Sequence, residues 1–451
     1  MLDRRTFLSR FSAGFGSVGL AQLLAADAGA RPESSAAKSV ILLFMQGGPS
    51  HLETFDPKPA LRRYDGQPLP PSFDATRLPL QFMKATDGKL MASPFRFRRF
   101  GRSGLQISEV FSRLGACADD LAVVRSCHHD SFIHGPALSL MHTGSTLLGH
   151  PSVGAWVVYG LGRLSDSLPA YVAMANGPIR NGPSLYGAGF LPAVHQGTLL
   201  RGEGVPIQNL QPATADQRKL LDRLREWNQE HAAARPGDSR LEARIASYEL
   251  AFRMQAAAPE LIDLSREPLA VRESYGAERG PTARFGQMCL LARRMVERGV
   301  RFVHLLHGDW DGHGRCADNV RDNAAAIDQP IAALLTDLKQ RGLLDSTLVV
   351  WTGEFGRTPV MQGGAGRDHS PYGFSSWLAG GGVRGGQVVG ATDEFGFRAV
   401  ENKVHVHDLH ATLLSLLGLD HRALTFRFEG RDRRLTDVGG DNDLAGRLRR
   451  P

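Results

Sequence analysis

Ser39-Val40-Ile41-Leu42-Leu43-Phe44-Met45 runs directly into Gln46-Gly47-Gly48-Pro49-Ser50-His51. The first stretch is a short continuous apolar run, as expected for a strand buried on both faces. The second is a turn carrying polar side chains. In open α/β sheets, ligands bind beyond the carboxyl ends of the strands, so a buried strand ending in such a turn also marks where chemistry is to be sought.

The same pattern recurs along the chain. Leu121–Arg125 reads as a second strand, followed by His128, His129, Asp130 and His134. Tyr171–Ala175 reads as a third. Arg301–Leu306 is another, followed by His307-Gly308-Asp309-Trp310-Asp311-Gly312-His313. Thr347–Trp351 precedes Glu354, with Asp368-His369 further on, and Phe374–Leu378 is a further strand. Helices are expected at Ser108–Asp119, Pro136–His142, Val153–Leu161, Ala317–Gln340 and His407–Leu417, the last closed by Gly418. Strands alternating with helices predict an α/β fold: a doubly wound, mostly parallel sheet with helices on both faces.

Two stretches interrupt the alternation. Residues 57–104 are rich in Pro, Arg and Phe and read as an irregular excursion. From about 213 to 298 three helical segments follow one another: Thr214–Ala234, Ser239–Ala257 and Pro281–Arg298. This block reads as a helical insertion whose apolar stripes, such as Leu220, Leu221, Leu224 and Trp227, are core. Residues 39–430 are therefore expected to form one α/β domain with an insertion.

The chain has 451 residues, 42% hydrophobic and 22% charged, which excludes a wholly disordered chain and a polytopic membrane protein. Its net charge of +7 is dispersed. No basic patch is interleaved with aromatics, so nucleic acid is not an expected partner, and the mild excess suits an anionic small-molecule or glycan ester. Cys117, Cys127, Cys289 and Cys316 form no C-x-x-C pair, which argues against a zinc ribbon; disulfides and buried free thiols both remain open. Oligomeric state is not legible.

Residues 1–30 are set aside as an address. Asp3-Arg4-Arg5-Thr6-Phe7-Leu8 precedes a Gly/Ala-rich run, Phe11 to Ala26, and two A-x-A-like cleavage options, Ala26-Asp27-Ala28 and Ala28-Gly29-Ala30. This is similar to a twin-arginine export signal and implies a periplasmic or otherwise exported protein. The other reading is an amphipathic helix beginning with Arg-Arg. The run falls short of the ~20 apolar residues a membrane span needs, so no integral span is expected after signal removal.

The sequence contains 16 histidines. His51, His128, His129, His134, His307, His313 and His369 all follow predicted strands or lie in the loops after them. Imidazoles with carboxylates are the ligand set of Zn, Mn or Fe. Asp309-x-Asp311-x-His313, on a glycine-flanked loop, is the strongest single element, and Asp368-His369 is a second candidate. Gly47-Gly48 is either an anion cradle or a tight turn. His405, His407 and His410 read as structural or surface residues. Ser131 has no base at fixed spacing, and no P-loop, dinucleotide fingerprint or nucleophile elbow is present.

Together these motifs carry a resemblance. Gln46 to His51 with Phe55-Asp56-Pro57-Lys58-Pro59, Trp310-Asp311-Gly312-His313, Gly353-Glu354-Phe355-Gly356-Arg357-Thr358-Pro359, Asp368-His369, the run Gly380 to Gly386, and Asp408-Leu409-His410-Ala411-Thr412-Leu413 resemble, in that order, domain-of-unknown-function family 1501. That family is exported and similar to the alkaline phosphatase and sulfatase superfamily. The resemblance implies an alkaline-phosphatase-like fold with a divalent metal ion (Zn, Mn or Ca) at the strand ends. Asp309-x-x-Gly312-His313 is similar to the D-x-x-G-H of metal-dependent phosphoglycerate mutases in that superfamily, and His369 resembles the later histidine of the same site. The implied metal ligands are Asp309 or Asp311, His313, Asp368 and His369.

The other half departs from the pattern. Sulfatases carry paired aspartates where this chain has Gln46 and Gly47, and an Asp followed by His or Asn where it has Glu354-Phe355. His134, opening the run to Gly144, stands where their nucleophile would be. Nucleophile, general acid and second-site ligand are the roles open to it, with Glu354 supporting it. It cannot become formylglycine. The expected function is a metal-dependent hydrolase of phosphate or sulfate esters in the cell envelope. The alternative is a non-catalytic binding protein on a degenerate sulfatase-like scaffold.

Overall fold

A computed structural model describes residues 37–74, 78–200, 216–235, 239–437 and 439–449. The signal expected over 1–30 lies outside the described residues. Nine strands form the main sheet: β1 (Ser39–Met45), β2 (Leu121–His128), β3 (Tyr171–Asn176), β4 (Thr198–Leu200), β5 (Phe302–His307), β6 (Thr347–Gly353), β7 (Phe374–Ala379), β8 (Gln387–Val389) and β9 (Val404–His405). Their order is β8-β2-β7-β6-β1-β5-β3-β4, with β9 beside β2. All pairings are parallel except those of β7, which runs antiparallel to both β2 and β6. The sheet is therefore mixed and mostly parallel, and β1, β2, β3, β5 and β6 end at one edge.

β1 shows why both faces are covered. Side chains alternate across a strand. Ile41, Leu43 and Met45 enter one core with α5 (Ala283–Glu297) and α6 (Cys316–Gln340). Val40, Leu42 and Phe44 enter the other, with α1 (His134–Thr143), α2 (Val153–Leu161) and α7 (Val406–Leu416). α6 presents Val320, Ala324, Ile327, Ile331, Leu334 and Leu338 to its core at helical spacing. Gly418 follows α7 with φ +81°, the left-handed conformation suited to a helix end.

Local expectations differ at two places. Ser108–Asp119 is not an α-helix: it forms 3₁₀ turns at Glu109–Phe111 and Leu114–Asp120. The N–H groups of Arg113 and Leu114 donate to Asp328 Oδ2 and Oδ1 at 2.9 and 2.8 Å, so a distant carboxylate satisfies them in place of helical carbonyls. In the 213–298 block, α3 (Gln217–Ala233) packs on α4 (Ser239–Ile262). Its Leu220, Leu224 and Trp227 are exposed rather than core. α5, by contrast, belongs to the layer on the sheet. All four cysteines are buried free thiols. No described helix is long and apolar enough to cross a membrane.

Candidate metal centre

The carboxyl edge of the sheet gathers the site. His134 opens α1 after β2, and Asp311 and His313 lie in the loop after β5. His369 comes from the antiparallel hairpin Gly356–Gln362/Gly366–Ser370, which follows β6. One ligand atom from each of His134, Asp311, His313 and His369 falls within 4.8 Å of the others, a group that could hold a metal ion. Close backbone approach makes this possible. A Cβ on Gly47 would stand 2.6 Å from the Trp310 nitrogen and 2.7 Å from that of Asp311, at φ +110°, so only glycine lets the β1 turn meet the Asp311 loop.

Each histidine is held by its outer nitrogen. His134 Nδ1 lies 2.7 Å from Glu354 Oε1, His313 Nδ1 2.7 Å from Gln362 Oε1, and His369 Nδ1 2.9 Å from the Phe132 carbonyl. These oxygens accept, so each Nδ1 carries its proton and donates. The three Nε2 lone pairs are left facing inward. His313 Nε2 and His369 Nε2 are only 2.8 Å apart. Two facing lone pairs at that distance repel unless a cation or proton lies between them. The donor set therefore fits a metal ion: three imidazoles and one carboxylate suit Zn, Mn or Fe. Calcium, which takes oxygen ligands, fits poorly.

Asp311 is the electrostatic centre. Its Oδ1 lies 3.0 Å from His313 Nε2, 3.3 Å from His369 Nε2 and 2.7 Å from Arg357 Nη2. Its Oδ2 lies 3.1 Å from His134 Nε2 and 3.4 Å from Arg180. Burial pushes its carboxyl up, but its contacts with His134, His313 and His369 and the charge of Arg357 hold it well below the ordinary range. The histidines diverge. Burial drives His369 down to about 3, aided by Arg357. Burial also lowers His134, yet the neighbouring carboxylates of Asp311 and Glu354 outweigh this and leave it raised. The difference lies in the outer partner: a carboxylate for His134, a neutral carbonyl for His369.

Two expected ligands are elsewhere. The Asp309 side chain is 78% exposed and meets Arg180 at 3.3 Å, so Asp311 is the aspartate of the cluster. Asp368 is fully buried, but its oxygens accept the N–H groups of Phe82 and His369, at 2.9 and 2.8 Å. With both oxygens of Asp368 taken up by backbone donors, His369 and not Asp368 joins the cluster. Glu354 reaches the cluster through His134, and its Oε1 also accepts the Gly47 N–H at 2.8 Å. Gly47 therefore serves a carboxylate of the protein itself. Gln46 accepts the Arg180 N–H at 3.1 Å and donates to the Pro178 carbonyl at 3.3 Å, positioning that loop. Of the other histidines, His51 bonds the Gly396 carbonyl, His129 that of Glu354, and His307 accepts from Trp310. His128 lies against the His405 ring. His405 caps α7, and His407 and His410 bond the carbonyls of Gly144 and Met141.

Sequence reasoning assigned no role to Arg180, Arg357, Gln362 or Phe132. Arg180 follows β3 at the same edge, a placement that could have marked it. Gln362 and Phe132 carry no local signal. Replacing Glu354 with glutamine is expected to weaken metal binding by about 10–100-fold, the usual cost of losing a partner behind a histidine ligand. Competition with a chelator measures this, and an unchanged affinity would remove Glu354 from the site.

The class is thus an α/β protein with a three-histidine, one-aspartate cluster at the carboxyl edge of its sheet. The chain belongs to the family described as protein of unknown function (DUF1501), which matches residues 37–445. No curated protein matches it. Among solved structures it is similar to the lipoteichoic acid synthase LtaP from Listeria monocytogenes, with 9% identity, TM-score 0.39, and 90% of this chain and 76% of that chain covered. It is also similar to the PsFucS1 sulfatase from Pseudoalteromonas sp., with 13% identity, TM-score 0.37, and coverage of 92% and 74%. The alkaline phosphatase from the Antarctic bacterium TAB5 follows, with 11% identity, TM-score 0.34, and coverage of 85% and 98%.

Proposed function

We propose that this protein is a hydrolase of phosphate or sulfate esters dependent on a single divalent cation. The observation that carries the reading is the convergence of His134, Asp311, His313 and His369. A divalent cation held there would polarise the ester and lower the pKa of a water molecule. The residues do the rest. His313 and His369 are locked as Nδ1–H tautomers by Gln362 and Phe132 and keep their inner nitrogens free. His134 is a fourth ligand oriented by Glu354, which favours that role over nucleophile or general acid. Arg180, 37% exposed and in reach of Asp311, offers its guanidinium to the anionic oxygens of the ester. A single ion is favoured because no second such group occurs among the described residues.

Metal analysis of the protein from its native host, with assays on aryl phosphates and aryl sulfates, tests the reading. About one cation per chain and turnover of one ester class are expected. A cation with bound anion but no turnover is the outcome for a binding protein on a degenerate scaffold. Absence of a cation refutes the metal-dependent hydrolase. The proposal places the protein in the cell envelope, on the strength of Arg4-Arg5 and the cleavage options after them. Lysine at both positions should retain the chain in the cytoplasmic fraction; unchanged export would overturn the twin-arginine route, and finding the unaltered chain in the cytoplasmic fraction would overturn the placement.

A further inference from the structure

The loop over 78–83 is pinned beside the cluster at two points. The Phe82 N–H donates to Asp368 Oδ2 at 2.9 Å, and the Tyr372 hydroxyl donates to the Pro79 carbonyl at 2.8 Å. Asp368 is fully buried, so the first anchor is a built feature of the fold. The other large apolar side chains of the loop are partly buried. Leu78, Leu80 and Met83 pack against a small core of Leu52, Leu61, Leu90, Val360, Phe395 and Phe397. Phe82 is left out of it, with 59% of its surface exposed. Its ring stands at 88° to that of His313, with centroids 4.9 Å apart, and 6.1 Å from that of His369.

An aromatic ring held in water beside a polar cluster adds little to the fold, and its free surface is available to a ligand. We propose that Phe82 is the platform for a ring in the leaving group of the substrate. The site then takes an anionic ester of a ring-bearing alcohol rather than of a small acyclic one. This rests on the ester reading above. Phe82 meets the cluster through His313, whereas Arg180 meets it through Asp311, so the ring and the anion have separate contacts. Asp368, expected as a ligand, becomes the positioning residue that holds the platform.

The test uses two phosphonates, whose carbon–phosphorus bond such a hydrolase does not cleave. Titration calorimetry on the metal-loaded protein compares phenylphosphonate with methylphosphonate. Phenylphosphonate is expected to bind about tenfold more tightly. Phe82→Ala should abolish that preference and leave methylphosphonate binding unchanged, Phe82→Tyr should retain it, and Arg180→Ala should weaken both probes. Equal affinities in the unaltered protein, or a preference that survives in Phe82→Ala, would overturn the platform alone. Failure of both phosphonates, and of phenylsulfonate and methylsulfonate as the matching sulfate mimics, to bind would overturn the ester reading and the platform together.

Discussion

Substituting His313 with alanine is expected to strip the cluster of its cation, from about one ion per chain to almost none, and to abolish ester turnover with it. His313 contributes one of the four ligand atoms, and its inner nitrogen lies 3.0 Å from Asp311 Oδ1 and 2.8 Å from His369 Nε2. Its side chain is 27% exposed and its outer partner is the neutral Gln362 amide. Its loss therefore leaves no uncompensated buried charge, and the metal-free protein should change in stability by no more than about 1 kcal/mol. Asp311→Ala is a less clean probe. Arg357 is fully buried and donates to Asp311 at 2.7 Å, so removing that carboxylate strands a buried cation and costs about 3–5 kcal/mol in folding as well. Metal analysis with parallel denaturant unfolding separates the two effects. Full metal content and full turnover in His313→Ala would sink the assigned centre.

Glu53→Ala should destabilise the protein by about 3–5 kcal/mol, the usual cost of breaking a buried ion pair from one side. Arg367 and Glu53 are 0% and 1% exposed, and the guanidinium reaches Glu53 Oε1 through Nη2 at 2.7 Å and Nε at 3.1 Å. It also donates to the carbonyls of Thr358 and Met91 at 3.0 and 2.8 Å. This one side chain therefore ties the hairpin bearing His369 to the short helix His51–Thr54 just after the β1 turn. Replacing both partners together, as Glu53→Leu with Arg367→Met, should recover most of the loss because no lone charge remains buried. Urea unfolding of the single and double variants measures this. A single variant as stable as the parent would show the pair to be dispensable.

The layout of the fold was legible from β1 outward. Apolar runs near 39–45, 121–125, 171–175, 301–306, 347–351 and 374–378 all became strands of one sheet. Their parallel pairing put the loops after β1, β2, β3, β5 and β6 at one edge, so the polar clusters behind those strands could be expected to meet. Buried strands announce themselves because hydrophobic periodicity is a local property of the chain. Where local signals were overruled, the cause was distant. Asp328 satisfied backbone donors at Arg113 and Leu114, and the predicted helix there became 3₁₀ turns.

The sequence by itself determined which residue types lie at the carboxyl edge: histidines and carboxylates after buried strands, on glycine-flanked turns. Only the tertiary structure decided which of them converge. It took Asp311 over Asp309, because the two differ in where the loop after β5 aims them. It took His369 over Asp368, because the backbone N–H groups of Phe82 and His369 occupy both Asp368 oxygens. It brought His134 into the cluster and placed Glu354, 220 positions along the chain, behind it. Ligand convergence depends on directions set by packing between segments far apart in sequence, and no local pattern encodes them.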